Sequence, residues 1–508
     1  MLSPGRAGLA AAVAVLAGGL LTSNHHLVGV FYDDGHYASL AWALAHGLGY
    51  AHPNLPGTPA AVHYPPLYPL LLSPLFGLWS VGTAALIGKL FNVLCAAASA
   101  GLIVWHAMRT SLVGGPPWLT GSVVAAAGLS IPCLTVLTVL LSEPLFTLLV
   151  VVAIIFADRP TPGRFSPDAA ALCAGLAAAL AFLARSLGVA VGAGVVIWIY
   201  VTQVHRAQEG RAAGWRRVAL AAAPSLVAVL TWGAWVAVNE RGIDPIMASD
   251  YGSYFELVRG ATLGFIGTRA VDLARPLGVL TLSWTLTGPA YYACGIAALG
   301  VGLYGLVEFA RRSAIGIALI IYLAMLACWP VPPDRFLWAV LPWLALAWAA
   351  GAVALWRHKR LRLPVAALAA ILTAGYARYE IRGFANEWWD LASARMSETM
   401  GDMLPALDSL PPNAIVATDH DPLVWLYTRH PAVPFYVYRL RGNTVLEPPP
   451  AVHLAYLERL GVTHLLVAAG DEGALTELQR LLTDYPARFA LLRRWADGGA
   501  LFGVRGAE

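Results

Sequence analysis

Asp33 and Asp34 stand side by side in Phe31-Tyr32-Asp33-Asp34-Gly35-His36-Tyr37, a polar interruption in a chain that is otherwise mostly apolar. A carboxylate close to a bilayer loses hydration, so it is kept there by a partner or a task. An aspartate with an ordinary pKa of about 3.9 is ionised at neutral pH. It can therefore take the proton of an alcohol as a new bond forms. Asp33 is the expected base, with Asp34 orienting an acceptor, capping a helix or sharing a divalent cation. The chemistry does not require that cation. His25, His26, His36, His46, His52 and His63 cluster nearby without a zinc-site spacing.

Three cations are candidates to meet an anion. Lys89 falls early in the second long apolar segment, Arg185 ends the fifth, and Arg335 directly precedes the tenth. Each is costly at such a position unless it meets an anion, a carboxylate or lipid headgroups. Glu143 and Asp334 are the carboxylates available to pair them, and Glu143 before Pro144 also suits a helix start. The run His63-Tyr64-Pro65-Pro66-Leu67-Tyr68-Pro69-Leu70 reads as a stiff turn leading into a surface segment. Its Tyr64 and Tyr68, with Trp79, suit either a ligand groove or an interfacial aromatic belt. The same two readings apply to Tyr251–Tyr254.

The elements that must carry these residues are mostly membrane helices. The chain is 58% hydrophobic and 12% charged, with a mean hydropathy of +0.65. Apolar runs of roughly 17–25 residues are long enough to span a bilayer. Such runs fall near 7–23, 84–108, 118–137, 141–157, 169–185, 187–203, 218–238, 286–309, 314–329, 336–356 and 363–378, giving about eleven transmembrane helices. The first reads as a retained anchor, because Leu21-Thr22-Ser23 is a poor cleavage site. With the N-terminus inside, the inner segments hold fourteen basic residues, among them Arg159, Arg164, Arg206 and Arg311-Arg312. The outer loops of the membrane region hold five: Arg241, Arg259, Arg269, Arg275 and Arg335. That bias follows the positive-inside rule. It places the long loop 24–83, the loop 239–275 and everything after about residue 379 on the outer face.

Residues 379–508 carry 16 of the 29 acidic residues and alternate strand and helix patterns, which marks a small α/β domain following a membrane domain over 1–378. Strands are expected at Ala414–Thr418, Pro434–Tyr438 and Thr463–Ala468, helices at Leu423–Tyr427, Val452–Leu460 and Glu472–Leu482, and a hairpin at the end. Asp419-His420-Asp421 lies between a strand and a helix, where helix capping is the expected role. In the first loop, Tyr37, Leu40, Ala41 and Leu44 share one face of a helix over Gly35–His46, with the two acids at its start. The five cysteines all lie in apolar stretches and suggest no disulfide framework.

The acidic pair with a Tyr three residues on, the Tyr-Pro-Pro-Leu-Tyr-Pro-Leu run, Leu141-Ser142-Glu143-Pro144-Leu145-Phe146 and Asp334-Arg335-Phe336 with Pro342 occur in an order that resembles the GT-C glycosyltransferases. The protein O-mannosyltransferases and lipid A aminoarabinose transferases are the most similar branches. Asp34 stands where many members carry Glu, and His63 where a Lys or another polar residue often precedes the Tyr-Pro-Pro run. The resemblance implies a polyprenyl-phosphate-sugar donor, transfer of a hexose or pentose to a glycan, lipid or protein acceptor, and a reaction on the outer face of the plasma membrane. On that reading Asp33 and Asp34 are catalytic. Lys89, Arg185 and Arg335 meet the phosphate, and His36, His63, Tyr64, Tyr68 and Glu143 line the substrate. One base and one displacement would invert the anomeric carbon.

A secondary transporter is the rival from another class, although no internal repeat is visible and the acids sit in a loop. A scaffold with a lectin-like outer domain is a third reading. No Gly-rich phosphate loop, nucleophile elbow or basic nucleic-acid patch occurs.

Overall fold

The computed structural model describes residues 3–158, 165–205, 211–254, 263–329, 331–441 and 444–505. Arg159, Arg164, Arg206 and Arg259, which entered the charge bias, lie outside these residues.

The chain is mostly helical. Among the described residues, seven helices are long and apolar enough to cross a membrane: Pro4–Leu21, Val81–Arg109, Pro167–Ala184, Ser186–His205, Arg211–Gly242, Gly288–Arg312 and Lys359–Ala385. Pro117–Gly128 and Ile131–Thr138, bent by 50° against each other, would make an eighth span. Glu143–Ala157, Ala314–Ala327 and Leu341–Trp356 are shorter apolar helices. Seven or eight spans are thus long and apolar enough to cross, fewer than the eleven read from the sequence, since the remaining segments form shorter apolar helices; the protein is an integral membrane protein. The bend frees the Ile131 N–H, and Glu380 Oε2 accepts it at 3.0 Å. A broken helix at membrane depth needs such a substitute partner.

Small residues set the closest helix contacts. A Cβ on Gly305 would lie 1.7 Å from the Ala347 carbonyl oxygen, and one on Gly351 would lie 2.1 Å from that of Val301. Gly288–Arg312 and Leu341–Trp356 thus meet backbone to backbone. The segment before Gly288 forms its own helix, Leu263–Thr281.

Two further helices build the long connection after the first span. Asp33–Ala45 buries nine of its residues instead of lying open on a surface. Leu67–Leu78 begins after Pro65 and Pro66, and Pro69 falls in its first turn, where a missing N–H is tolerated. The Lys359–Ala385 helix runs unbroken through residue 378, and Leu391–Leu407 links it to the C-terminal region.

That region holds a five-stranded sheet in the order β2-β1-β5-β7-β6. Its strands are β1 (Val416–Ala417), β2 (Ala432–Val433), β5 (His464–Val467), β6 (Phe489–Arg494) and β7 (Ala500–Val504). β1 pairs in parallel with β2 and β5, and the final hairpin adds antiparallel strands. The expected strand at Pro434–Tyr438 is corrected to β2, two residues earlier. Val416 N–H donates to the Pro431 carbonyl and Thr418 N–H to that of Val433, which fixes the pairing before Pro434. A separate hairpin joins β3 (Arg439–Arg441) and β4 (Thr444–Leu446).

Candidate active site

The loop that leads into the Asp33–Ala45 helix is built around Asp34. Its carboxylate accepts the N–H groups of Gly29, Phe31 and Gly35, each at 3.0 Å. Asp34 is 1% exposed and points back into this loop. The N-cap position belongs to Tyr32, whose φ of 67° is unusual for a residue with a side chain. Gly29 has φ +99°, and a Cβ there would lie 2.5 Å from Leu423 Cβ of the C-terminal region. The turn thus requires glycine for both conformation and space. The loop conformation aims Asp33 in the other direction, so the two carboxylates do not share partners.

Asp33 begins a chain of alternating charges. Its Oδ2 lies 2.5 Å from Arg335 Nη2. Arg335 Nε lies 2.9 Å from Glu143 Oε1, and Glu143 Oε2 lies 2.7 Å from Arg185 Nη1. Arg185 also donates to Ser142 Oγ at 3.2 Å, which lies 2.9 Å from the Tyr37 hydroxyl. Tyr64 donates to Asp33 Oδ1 at 3.0 Å. Two carboxylates and two guanidiniums balance one another, which low-dielectric surroundings demand. The chain has an inner and an outer end: Glu143 and Arg185 are 1% and 6% exposed, while Asp33 and Arg335 are 18% and 21% exposed. The Asp33–Arg335 end is therefore the more accessible of the two. Burial alone would raise the Asp33 carboxyl, but the Arg335 charge and hydrogen bond outweigh it and hold the group below the usual carboxylate range.

Aromatic rings wall this end. Tyr37 lies between Tyr64 and Tyr68, 5.0 Å from each ring, and Tyr68 donates to Asn92 at 3.1 Å. His63 Nδ1 donates to the Gly252 carbonyl at 2.6 Å and packs its ring 4.2 Å from Tyr254. His36 is fully buried, with Tyr32, Tyr64, Tyr251 and His52 around it. Burial drives its pKa down to about 3, so the ring is neutral.

Of the cations singled out in the sequence, Arg185 and Arg335 thus meet Asp33 and Glu143. Lys89 lies in a separate bonded group: its Nζ donates to Asn24 Oδ1 at 2.7 Å, and Asn24 and His26 both contact Asp390. Asp419-His420-Asp421 is not a helix cap. His420 holds the N-cap position without a side-chain cap bond, Asp419 accepts the Tyr436 N–H at 2.7 Å, and Asp421 accepts from Asn54 and Tyr251. The sequence reading gave no role to Asp250, beside Tyr251, although its run of polar and aromatic residues stood out. Burial, then the charges of Asp419 and Asp33, raise its carboxyl to about 7. Among the described residues, no group of three or more His, Cys, Asp and Glu side chains is placed to hold a metal ion.

No protein-family profile matches the chain, and no curated protein matches its sequence. Solved structures do. The oligosaccharyltransferase of Archaeoglobus fulgidus in its apo form superposes with a TM-score of 0.53 at 15% identity, covering 99% of this chain and 74% of that one. The archaeal oligosaccharyltransferase AglB from the same organism, in complex with an inhibitory peptide and a dolichol-phosphate, gives 0.51 at 11% identity with the same coverage. ArnT from Cupriavidus metallidurans bound to undecaprenyl phosphate gives 0.48 at 16%, over 98% of this chain and 97% of that one. With its apolar spans and small C-terminal sheet, the chain has a GT-C-like membrane fold.

Proposed function

We propose that the protein is a membrane glycosyltransferase that moves a sugar from a polyprenyl-phosphate carrier to a hydroxyl of a glycan, lipid or protein acceptor on the extracytoplasmic face. The observation that carries this reading is the accessible Asp33–Arg335 pair at the outer end of a buried, charge-balanced chain. The fold supports it, since the archaeal structure of the same architecture is of an oligosaccharyltransferase that holds a dolichol-phosphate.

In this reading Arg335 meets the donor phosphate, with Arg185 behind it through Glu143. A guanidinium can bind a phosphate with two parallel hydrogen bonds. Arg335 turning toward phosphate releases Asp33 to accept the acceptor's O–H. The acceptor oxygen forms its bond to the anomeric carbon as the bond from that carbon to the phosphate oxygen breaks. The electron pair leaves on the lipid phosphate, the proton passes to Asp33, and the configuration inverts. Tyr64 holds the other oxygen of Asp33 throughout. Asp34 serves by shaping the loop, and His36, His63 and Tyr68 by packing it.

Residues 379–508 would handle the acceptor. A cavity of about 550 Å³ lies between Asp244–Ile246 and the C-terminal region, lined in part by Tyr438, Leu446, Pro448 and Arg459. That volume falls in the range of ligand sites.

The test is mass analysis of envelope glycans and glycoproteins from cells with the gene, without it, and with Asp33→Asn in its place. One sugar should disappear in the last two. An unchanged envelope, together with altered uptake of a polar solute, would instead favour a transporter.

A further inference from the structure

We propose that His420 is a positioning residue for Asp33: its doubly protonated ring ties Asp471 to the Gly29 carbonyl and so fixes the loop that aims the Asp33 carboxylate. This rests on the glycosyl-transfer reading above for what Asp33 does, and it deepens that reading by giving the C-terminal region a part in the site.

Three consecutive residues of that loop are bonded to side chains of the C-terminal region. Ser397 Oγ accepts the Leu27 N–H at 3.0 Å, the Tyr427 hydroxyl oxygen accepts the Val28 N–H at 3.1 Å, and His420 Nδ1 donates to the Gly29 carbonyl at 3.3 Å. The fit is close: a Cβ on Gly35 would lie 2.8 Å from Gly29 Cα and 3.0 Å from Pro422 Cβ. Gly29 also organises the rest of the loop. Its N–H meets Asp34 Oδ2, and Asp34 Oδ1 takes the N–H groups of Phe31 and Gly35, which flank Asp33. A shift of Gly29 is therefore passed through one carboxylate to both sides of Asp33.

The protonation state follows from the partners. Gly29 offers a carbonyl oxygen, which only accepts, so Nδ1 carries a proton. Nε2 lies 3.3 Å from Asp471 Oδ2, and an ionised carboxylate also only accepts. A lone pair on Nε2 would face negative charge, so both nitrogens donate and the ring is an imidazolium. The groups that face it are Asp471 from the turn before the Glu472–Asp484 helix, Asp419 beside it in sequence, and the Gly29 carbonyl from the first connection. Burial opposes the charge, but Asp471, then Asp419 and the Gly29 carbonyl, outweigh it and raise the ring above the usual histidine value. On losing one proton the ring keeps the one that faces the carboxylate, because the charge-assisted hydrogen bond is the stronger. The Gly29 carbonyl then loses its donor. The loop is thus held below the raised value and loosens as pH rises through it.

Two variants separate the two nitrogens. An asparagine amide sits where Nδ1 does and a glutamine amide reaches where Nε2 does. His420→Asn keeps the donor for Gly29, and His420→Gln keeps only the one for Asp471. In the purified full-length protein, hydrogen exchange of residues 27–35 should be about tenfold faster in His420→Gln than in His420→Asn. Equal exchange in the two overturns positioning through Gly29. In wild type this exchange, referenced to the unfolded chain at each pH, should accelerate at alkaline pH. In Asp471→Asn it should not, since the neutral ring is then free to keep its proton toward Gly29. The same acceleration in both overturns the charged bridge. In protein labelled with carbon-13 histidine, the resonance missing from His420→Asn belongs to His420. Its midpoint should lie above 6.5 and fall in Asp471→Asn, and a midpoint indifferent to Asp471→Asn also overturns the bridge. In cells lacking the gene, His420→Asn should restore the envelope sugar about tenfold faster than His420→Gln, and equal rates overturn the role in transfer. If wild type itself restores no sugar, the glycosyl-transfer reading has failed, while exchange and resonance still decide the bridge. Should His420→Gln not fold, Asp471→Asn, at a side chain 19% exposed, still supplies the exchange and midpoint comparisons.

Discussion

Arg335 Nη2 lies 2.5 Å from Asp33 Oδ2, across 302 positions of sequence. The guanidinium also reaches Glu143, so one planar cation bridges the accessible acid and the buried one. A lysine ammonium is a compact point charge and cannot hold both carboxylates in that flat geometry. Arg335→Lys should therefore lower transfer about a hundredfold or more, the scale seen when an electrostatic donor is removed. The comparison is envelope sugar restored per unit of membrane-inserted protein. Near-normal restoration by Arg335→Lys would show that only the charge matters.

Glu143 lies between two guanidiniums and is 1% exposed. Glu143→Gln would leave Arg185 without the carboxylate it meets, facing an Arg335 whose remaining charge partner is Asp33. Breaking a buried ion pair from one side costs about 3–5 kcal/mol. The expected outcome is a large fall in the unfolding temperature of the detergent-solubilised protein. Asp33→Asn, at the more exposed end of the same chain, should lower it much less. Equal losses from both changes would contradict the gradient of burial.

The apolar runs made the spans legible, because length and hydropathy are local properties of a segment. The helix carrying Asp33 was legible for the same reason, from the spacing of Tyr37, Leu40, Ala41 and Leu44. What the sequence left open was the pairing. Lys89, Arg185 and Arg335 looked alike as cations near one face, yet Lys89 joins Asn24 and the other two join Glu143. Those choices depend on how the Glu143–Ala157 helix packs beside its neighbours, which no local pattern encodes. Asp250 was missed because its setting arises only when the second long connection meets the C-terminal region. The strand expected at Pro434–Tyr438 was misplaced because Phe435 and Val437 are buried without joining the sheet.

The C-terminal region meets the Asp33–Ala45 helix through Trp42 and Trp425, whose rings contact edge to face. The Arg429 guanidinium carbon lies 4.5 Å from the ring centres of both Trp42 and Trp425. Arg429 is exposed, and cation–π contacts at exposed sites contribute about 0.5–1 kcal/mol each. Arg429→Gln removes the cation, and the αL backbone at this position disfavours both side chains alike. The variant should show faster hydrogen exchange in residues 33–45 and easier proteolytic release of the C-terminal region. Unchanged exchange in that helix would mean that the remaining contacts, such as the Tyr427 hydroxyl on the Val28 N–H, suffice.

His36 sets an acid sensitivity of definite sign. Burial lowers its pKa from 6.5 to about 3, so the folded protein keeps the ring neutral over that interval while the unfolded chain takes up a proton. The unfolded state binds more protons there, so stability rises with pH through the window and is lost as pH falls from 6.5 toward about 3. His52, buried beside it and also held neutral, acts in the same direction. Asp250 acts oppositely, since a raised carboxyl binds its proton in the folded state between 3.8 and about 7 and loses stability as pH rises. The histidine effect is isolated by His36→Phe, which keeps a ring of similar size among Tyr32, Tyr64 and Tyr251. Unfolding temperatures at one pH below the window's upper edge and one above it should differ less in the variant than in wild type. A difference of the same size in both proteins would place the acid sensitivity elsewhere, and an increased difference would reverse the sign argued from burial.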